Sequence, residues 1–445
     1  MNRTLSALVL LVCILQPASA LPIRRDSLPN GLIVVSYEDH RLPICDIGLV
    51  CRSGAAFDPA GKTGVASLTA DLLFKGMPGI SADSFAAIVE HLGARTSAGV
   101  DFDRSAVGFR VLAKDLDQGL DLLAGSVLRP TFPAREFRLA HTQALSGARQ
   151  RCEFPNAVVA DAFSRLAFGN GHPCARPASG DTGTLRRISR DDVIRFHKTH
   201  YVPNNSFIVA VGDFDPDALL EAIRRRFGAW PPAAIPPLTV PPLPEPRGIV
   251  AKLITRPDLN QTYIHLGHPG ISMSDADVLP ARLMSYILGG APMSSRMGLA
   301  VRERGGLAYD VRCWFDRMKL TGMYNATVQT AQPKLAIELM LAEIRTMFDS
   351  GATHAEMLKA HNYFTGSFPL SYSSNQGKSY QLGYQELHRL GANWLERFPD
   401  DIRAVTLEQV NQAARDRLKP GNCFMVIVGP VTREDIDIPG IDWID

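Results

Sequence analysis

No two of the seven cysteines stand in a C-x-x-C spacing, so the usual thiolate zinc site is excluded. No two of the eleven histidines stand four apart; His197 with His200 and His265 with His268 are three apart. The charge has no excess of either sign, 47 basic against 45 acidic residues, and offers no footprint for nucleic acid. Beyond the first twenty residues no run reaches about 18 apolar positions, which excludes a later membrane-spanning helix. Gly289-Gly290 and Gly305-Gly306 lack the Lys-Ser/Thr ending of a phosphate loop, and no serine or cysteine nucleophile signature is present.

What is present begins with an export signal. Arg3 supplies a short positive start, Ala7 to Leu15 an apolar core, and Pro17-Ala18-Ser19-Ala20 a small-residue cleavage site before Leu21. The expectation is a signal peptide over 1–20 and an exported mature chain, periplasmic in a Gram-negative bacterium. Removing Cys13 with the signal leaves Cys45, Cys51, Cys152, Cys174, Cys313 and Cys423. Export permits disulfides, and their pairing is not legible from spacing.

At 445 residues the chain exceeds one ordinary core. A proline-rich stretch over 231–247 divides it into halves at 21–230 and 248–445. The halves echo each other. Pro203-Asn-Asn205-Ser-Phe207-Ile-Val209-Ala-Val211-Gly212 matches Pro420-Gly-Asn422-Cys-Phe424-Met-Val426-Ile-Val428-Gly429. Upstream, Ser189 with Asp192 and Thr406 with Gln409 both read as capped helix starts. A helix, a turn and a buried strand in common register point to duplication.

Periodicity places strands at Leu32–Ser36 and Ile47–Cys51, read as a hairpin, and at Arg104–Leu112, Thr262–Gly267 and Met323–Gln329. Helices are expected at Val65–Phe74, Ser84–Leu92, Ala134–Arg151, Ala276–Leu288 and Lys334–Phe348. His197 and His200 fall on the polar side of a helix before Tyr201, and His268 beside a turn at Pro269-Gly270. The fold class is α+β: two homologous halves, each a mainly antiparallel sheet with helices on one face.

The run Gly64-Val65-Ala66-Ser67-Leu68-Thr69-Ala70-Asp71-Leu72-Leu73-Phe74-Lys75-Gly76 resembles the region around the inverted zinc motif, H-x-x-E-H, of the insulinase and pitrilysin-like metallopeptidases. In that frame the two zinc histidines fall at Ser67 and Asp71 and the general-base glutamate at Ala70. The spacing between Phe132-Pro133 and Phe154-Pro155 then sets the third ligand at Gly147 and a further helix glutamate at Ala140. Positions i, i+3 and i+4 share a helix face, but Ser67, Ala70 and Asp71 supply at most one good zinc donor there.

The second half keeps Leu288-Gly289-Gly290-Ala-Pro-Met-Ser294-Ser295-Arg296 and Val301-Arg302-Glu303-Arg304-Gly305-Gly306-Leu307-Ala308-Tyr309, similar to the family's C-terminal signature. The resemblance assigns Arg302 and Tyr309 to substrate and transition-state binding. Without it, Arg302 reads as a helix-end arginine beside Glu303 and Tyr309 as a core residue. Gly93 to Ala98 occupies the place of a peptide-binding edge strand, with Ser97-Ala98 where relatives have Asn-Ala. Gly171-His172-Pro173, Tyr201-Val-Pro203 and Gly212-Asp213 are further landmarks.

Within this family the chain looks like the mitochondrial-processing-peptidase branch, and specifically like the zinc-free subunit of a bacterial two-subunit peptidase. That implies no cofactor in this chain, inactivity alone, and zinc in a homologous partner subunit acting on peptides. Arg302 and Tyr309 would serve the partner's site in trans; the isolated chain is compatible with a homodimer. The rival expectation is a peptide-binding or scaffold protein of the same fold with no catalytic role.

Overall fold

The computed structural model describes residues 21–319 and 321–445, so the signal-peptide expectation lies outside the described residues. In chain order the strands are β1 (Ile23–Ser27), β2 (Ile33–Glu38), β3 (Ile44–Cys51), the short hairpin β4 (Gly76–Met77) and β5 (Ile80–Ser81), β6 (Arg95–Val100), β7 (Ser105–Leu112) and β8 (Ser206–Gly212). After the proline-rich stretch come β9 (Ile249–Thr255), β10 (Thr262–Pro269), β11 (Ala308–Phe315), β12 (Met323–Thr330), β13 (Cys423–Gly429) and β14 (Ile441–Ile444). Residues 230–246 between the two groups carry no regular secondary structure.

Two six-stranded sheets result, ordered β1-β2-β8-β3-β7-β6 and β11-β12-β10-β13-β9-β14. Read in opposite directions, the orders match strand for strand. Val209 lies between Val35 and Gly48, and Val426 lies between Lys252 and His265. In both sheets the strand carrying the matched valine runs parallel to one neighbour and antiparallel to the other. The outer strands differ: β1 runs antiparallel to β2, whereas β14 runs parallel to β9.

β2 and β3 do not form the expected hairpin, because β8 is inserted between them. Every residue of β8 is buried, as is every residue of β13. A strand without a polar side cannot lie at an edge or over solvent, so it takes the centre. The predicted Ala276–Leu288 helix also differs. It is α-helical over Val278–Ser285 and then widens, with the Ala291 N–H donating to Tyr286 O at 3.2 Å, five residues back.

The helices do not merely cover one face within each half. Side chains alternate across a strand, and the two parities of β8 enter different cores. Ile208 and Ala210 pack with Leu68, Leu123 and Ile223 of the first half, whereas Phe207, Val209 and Val211 pack with residues of the second. The helix Asn375–His388 from the second half lies over β8, β3 and β2. Reciprocally, the helix Pro155–Phe168 from the first half lies over β10 and β13, where Val159 and Phe163 meet Phe424, Val426 and Val428. Each half thus lends one helix to the other's sheet.

Ion pairs hold the exchanged Asn375–His388 helix. Lys378 bonds Asp39, both buried, and Glu386 receives Arg52 at 2.6 Å and Arg25 at 2.8 Å. Among the described residues no helix is long and apolar enough to cross a membrane. The six described cysteines are free, and all but Cys152 are buried. Burial pushes the Cys45, Cys51, Cys313 and Cys423 thiols up to about 12, so they are inert side chains of the core.

Candidate functional site

The helix Val65–Leu72 starts at Gly64, whose φ of +110° a side chain would strain. A Cβ there would also meet Leu185 and the Ser179 carbonyl at 2.9 Å. The first turn has no side-chain cap of its own. Instead Asp58 reaches in, accepting the Gly64 and Ala66 N–H groups at 2.7 Å each. Burial raises the Asp58 carboxyl to about 7 against the pull of these donors. Val65, Ala66, Leu68, Thr69, Ala70 and Leu72 are buried, and Ser67 and Asp71 face outward.

Outward means into a cleft of about 920 Å³ between this helix and the helix Ala134–Arg151. Ser67, Asp71 and Gly147 all line it, as do Arg151, Phe154 and, from the second sheet, Tyr263. A Cβ on Gly147 would meet nothing within 4 Å, so that position opens on empty space. The cleft walls raise the Asp71 carboxyl above the ordinary range, with Lys75 opposing. Arg151 is engaged by Asp161 through two hydrogen bonds of 2.9 and 2.8 Å.

Three of the four predicted zinc-motif positions therefore converge, and the fourth does not. Ala70 is 1% exposed and packs in the first-half core. The converging positions offer a hydroxyl, one carboxylate and no side chain at all. Zinc takes four nitrogen, sulfur or oxygen ligands at about 2.0–2.3 Å. Among the described residues no group of three or more His, Cys, Asp or Glu could hold an ion. The residues present at this cleft do not fit zinc.

The histidines give no substitute site. His200 does not lie on a polar face: it is buried with Phe57 and Phe196 at ring distances of 5.2 and 4.5 Å. His197 bonds the Val127 carbonyl at 2.8 Å and packs on Phe132 and Tyr201. His265 stacks on Phe163 at 3.7 Å and bonds Asn325. His268, expected beside a turn at Pro269-Gly270, is buried within β10, which runs on through Pro269, and its Nε2 accepts the Lys419 N–H at 3.3 Å. Burial holds His200, His265 and His268 down to about 4, neutral at physiological pH.

Arg302 and Tyr309 are brought together. Arg302 lies near the end of a helical segment, Gly298–Arg304, and Tyr309 is the second residue of β11. The link turns back through Gly306 at φ +61°, with Gly306 N–H donating to Arg302 O at 3.0 Å and Leu307 N–H to Val301 O at 3.0 Å. The turn sets the Arg302 guanidinium over the Tyr309 ring at 5.1 Å from its centroid. Glu303 stands 3.6 Å from Arg302. Tyr309 is not a core residue: at 86% exposure it presents nearly its whole ring. β11 is the outermost strand of the second sheet and β6, holding Ser97 and Ala98, the outermost strand of the first. β6 is exposed over Arg95–Gly99, leaving one ladder edge free for an extended chain.

Sequence reading missed Asp58, Arg151 and Tyr263. Asp58 stands six residues before the glycine it caps, outside any local capping spacing, and Tyr263 reaches the cleft only through the approach of the second sheet.

Residues 33–176 match the family model described as "Insulinase (Peptidase family M16)", and residues 187–363 match "Peptidase M16 inactive domain". An uncharacterized zinc protease of Mycobacterium tuberculosis is 28% identical over 411 residues, covering 90% of this chain and 92% of that protein. The uncharacterized zinc protease YmxG of Bacillus subtilis is 24% identical, covering 88% and 95%. Among solved structures, a peptidase M16 inactive domain from Pseudomonas fluorescens superposes with a TM-score of 0.84 at 26% identity, covering 93% of this chain and 98% of that one. A protease from Helicobacter pylori shares the fold, with a TM-score of 0.84 at 18% identity over 92% and 99% of the two chains.

Proposed function

The chain belongs to the insulinase (M16) peptidase family, and we propose that within it this chain is the zinc-free subunit of an exported two-subunit peptidase. The observation that carries the reading is an asymmetry. The zinc-motif positions Ser67, Asp71 and Gly147 face one cleft without the donors to hold a metal. Arg302, half-buried, meanwhile lies over the exposed ring of Tyr309, and a turn joins the two. A homologous partner subunit supplies zinc and the general base. This chain supplies a guanidinium for peptide carbonyl or carboxylate groups and a phenol that donates to a developing oxyanion. The likeness to a peptidase M16 inactive domain from Pseudomonas fluorescens supports a non-catalytic role for the chain by itself.

The test is reconstitution with a homologue that carries H-x-x-E-H in the same frame. Alone, the chain should leave unstructured peptides intact. In the heterodimer, Tyr309→Phe should lower turnover by on the order of 10²–10³, the usual cost of one oxyanion donor. Arg302→Ala should cost at least as much, with zinc content and assembly unchanged, since neither residue is a ligand. Wild-type turnover by the double variant would reduce this chain to a scaffold. Chelator-resistant peptidase activity of the isolated chain would overturn the whole reading.

A further inference from the structure

Arg282, on the helix Val278–Ser285, has no carboxylate. Its guanidinium is flanked by two rings, its carbon 4.7 Å from the Phe364 centroid and 5.0 Å from that of Phe398. Among the described residues its side chain makes no hydrogen bond and no ion pair. Other arginines held in the protein body behave differently: Arg52 binds Glu386, Arg110 binds Asp46, Arg296 binds Glu356 and Arg417 binds Asp277. Burial, and secondarily Arg317, lowers the Arg282 pKa only to about 10, so the group stays charged at neutral pH. A desolvated charge without a counter-charge is costly, and the two ring faces offset only part of that cost.

Arg282 opens on space of the right kind. Two adjoining cavities of about 160 Å³ each share Arg282, Arg317, Tyr384 and Trp394. The first is walled by Tyr363, Phe368 and Tyr380 and contains no acidic side chain. The second adds Arg397 and Asp401, which are bonded to each other at 2.8 Å, so Asp401 is already engaged. Both cavities therefore combine uncompensated positive charge with aromatic surface. A guanidinium with free N–H edges matches a planar carboxylate by two parallel hydrogen bonds, and the rings take an apolar group beside it.

We infer that these joined cavities are a binding site for a carboxylate carried next to an aromatic or branched apolar group. A free small acid and the C-terminal residue of a peptide share that chemistry. The site needs no partner subunit and operates in the isolated chain, whatever becomes of Arg302 and Tyr309.

The full chain is titrated with N-acetyl-L-phenylalanine, its amide, and N-acetyl-L-alanine, by calorimetry or ligand-observed NMR. Saturable binding of the first is expected, weaker by at least about tenfold for the amide, which lacks the charge. The alanine analogue should also bind more weakly. Arg282→Met should abolish the difference between acid and amide while keeping or raising Tm, because it removes an uncompensated charge. The exposed variant Arg317→Ala should weaken the acid in the same direction, and decides the matter if Arg282→Met fails to fold. A decapeptide ending in phenylalanine, compared with its amidated form, separates the two sources: binding of the free-ended peptide marks a peptide-terminus site, and exclusion of both peptides marks a small-acid site. Equal binding of acid and amide, no binding of either, or undiminished acid binding by Arg282→Met would overturn the inference.

Discussion

Ser67, Asp71 and Gly147 share one cleft and bring it a hydroxyl, a carboxylate and no third donor. The helix face, the cleft and the space at Gly147 are present, and the donor atoms for a metal are not. That they share a cleft was legible, because a one-turn spacing and flanking glycines place positions on a helix face whatever side chains stand there. That Ala70 turns into the core was not legible, since alanine suits either face of a helix. The placement of His200 on a polar helix side was misread for a related reason. His200 and His268 are polar by letter, but in this fold they act as neutral aromatic filling. Their burial predicts an acid weakness. His200, His265 and His268 sit at about 4 in the fold against about 6.5 unfolded. The unfolded chain therefore binds more protons between these values, and stability is lost as pH falls from about 6.5 towards 4. The slope approaches about 1.4 kcal/mol per pH unit for each histidine. Urea unfolding at pH 7, 6 and 5 should show this decline, and His265→Gln should flatten it. A stability independent of pH over that range would contradict the buried neutral state.

At the scale of elements, the duplicated strands were the most legible part. Phe207 to Val211 and Cys423 to Val428 are unbroken apolar runs, and such runs mean cover on both faces. Which helix provides the second cover is a long-range matter, and nothing in the local sequence of Pro155–Phe168 or Asn375–His388 names its partner sheet. The register of β8 between β2 and β3 was equally hidden, because a parallel neighbour need not be adjacent in the chain. The exchanged helices should be energetically prominent. Phe163 is 1% exposed, stacks on His265 and packs with Val426 and Val428. Phe163→Ala should cost about 3–5 kcal/mol, the range for a fully buried aromatic. Leu382→Ala, on the reciprocal helix and fully buried, should cost about 2–5 kcal/mol. Chemical denaturation measures both. A cost under 1 kcal/mol at either position would mean that its helix is not integral to the sheet beneath.

At the scale of the whole molecule, the two exchanged helices tie the two sheets together. The proline-rich stretch looks like a boundary, yet cutting there would leave each sheet without one helix. Residues 21–247 and 248–445 expressed separately should therefore expose apolar strand faces and aggregate. Expressed together without a covalent link, they should form a soluble complex that unfolds in a single transition. Independent folding of either piece, with sharp amide dispersion by NMR, would show that the exchange is dispensable.

The same exchange has a temporal side. A chain leaves the ribosome from its N-terminus at about 5–20 residues per second. The first sheet is complete in sequence at Gly212, but its cover arrives only with Asn375–His388. For on the order of ten seconds the nascent first half must therefore hold Phe207, Val209 and Val211 towards solvent. The order of the elements thus sets an interval of synthesis in which the apolar face of β8 waits for its cover.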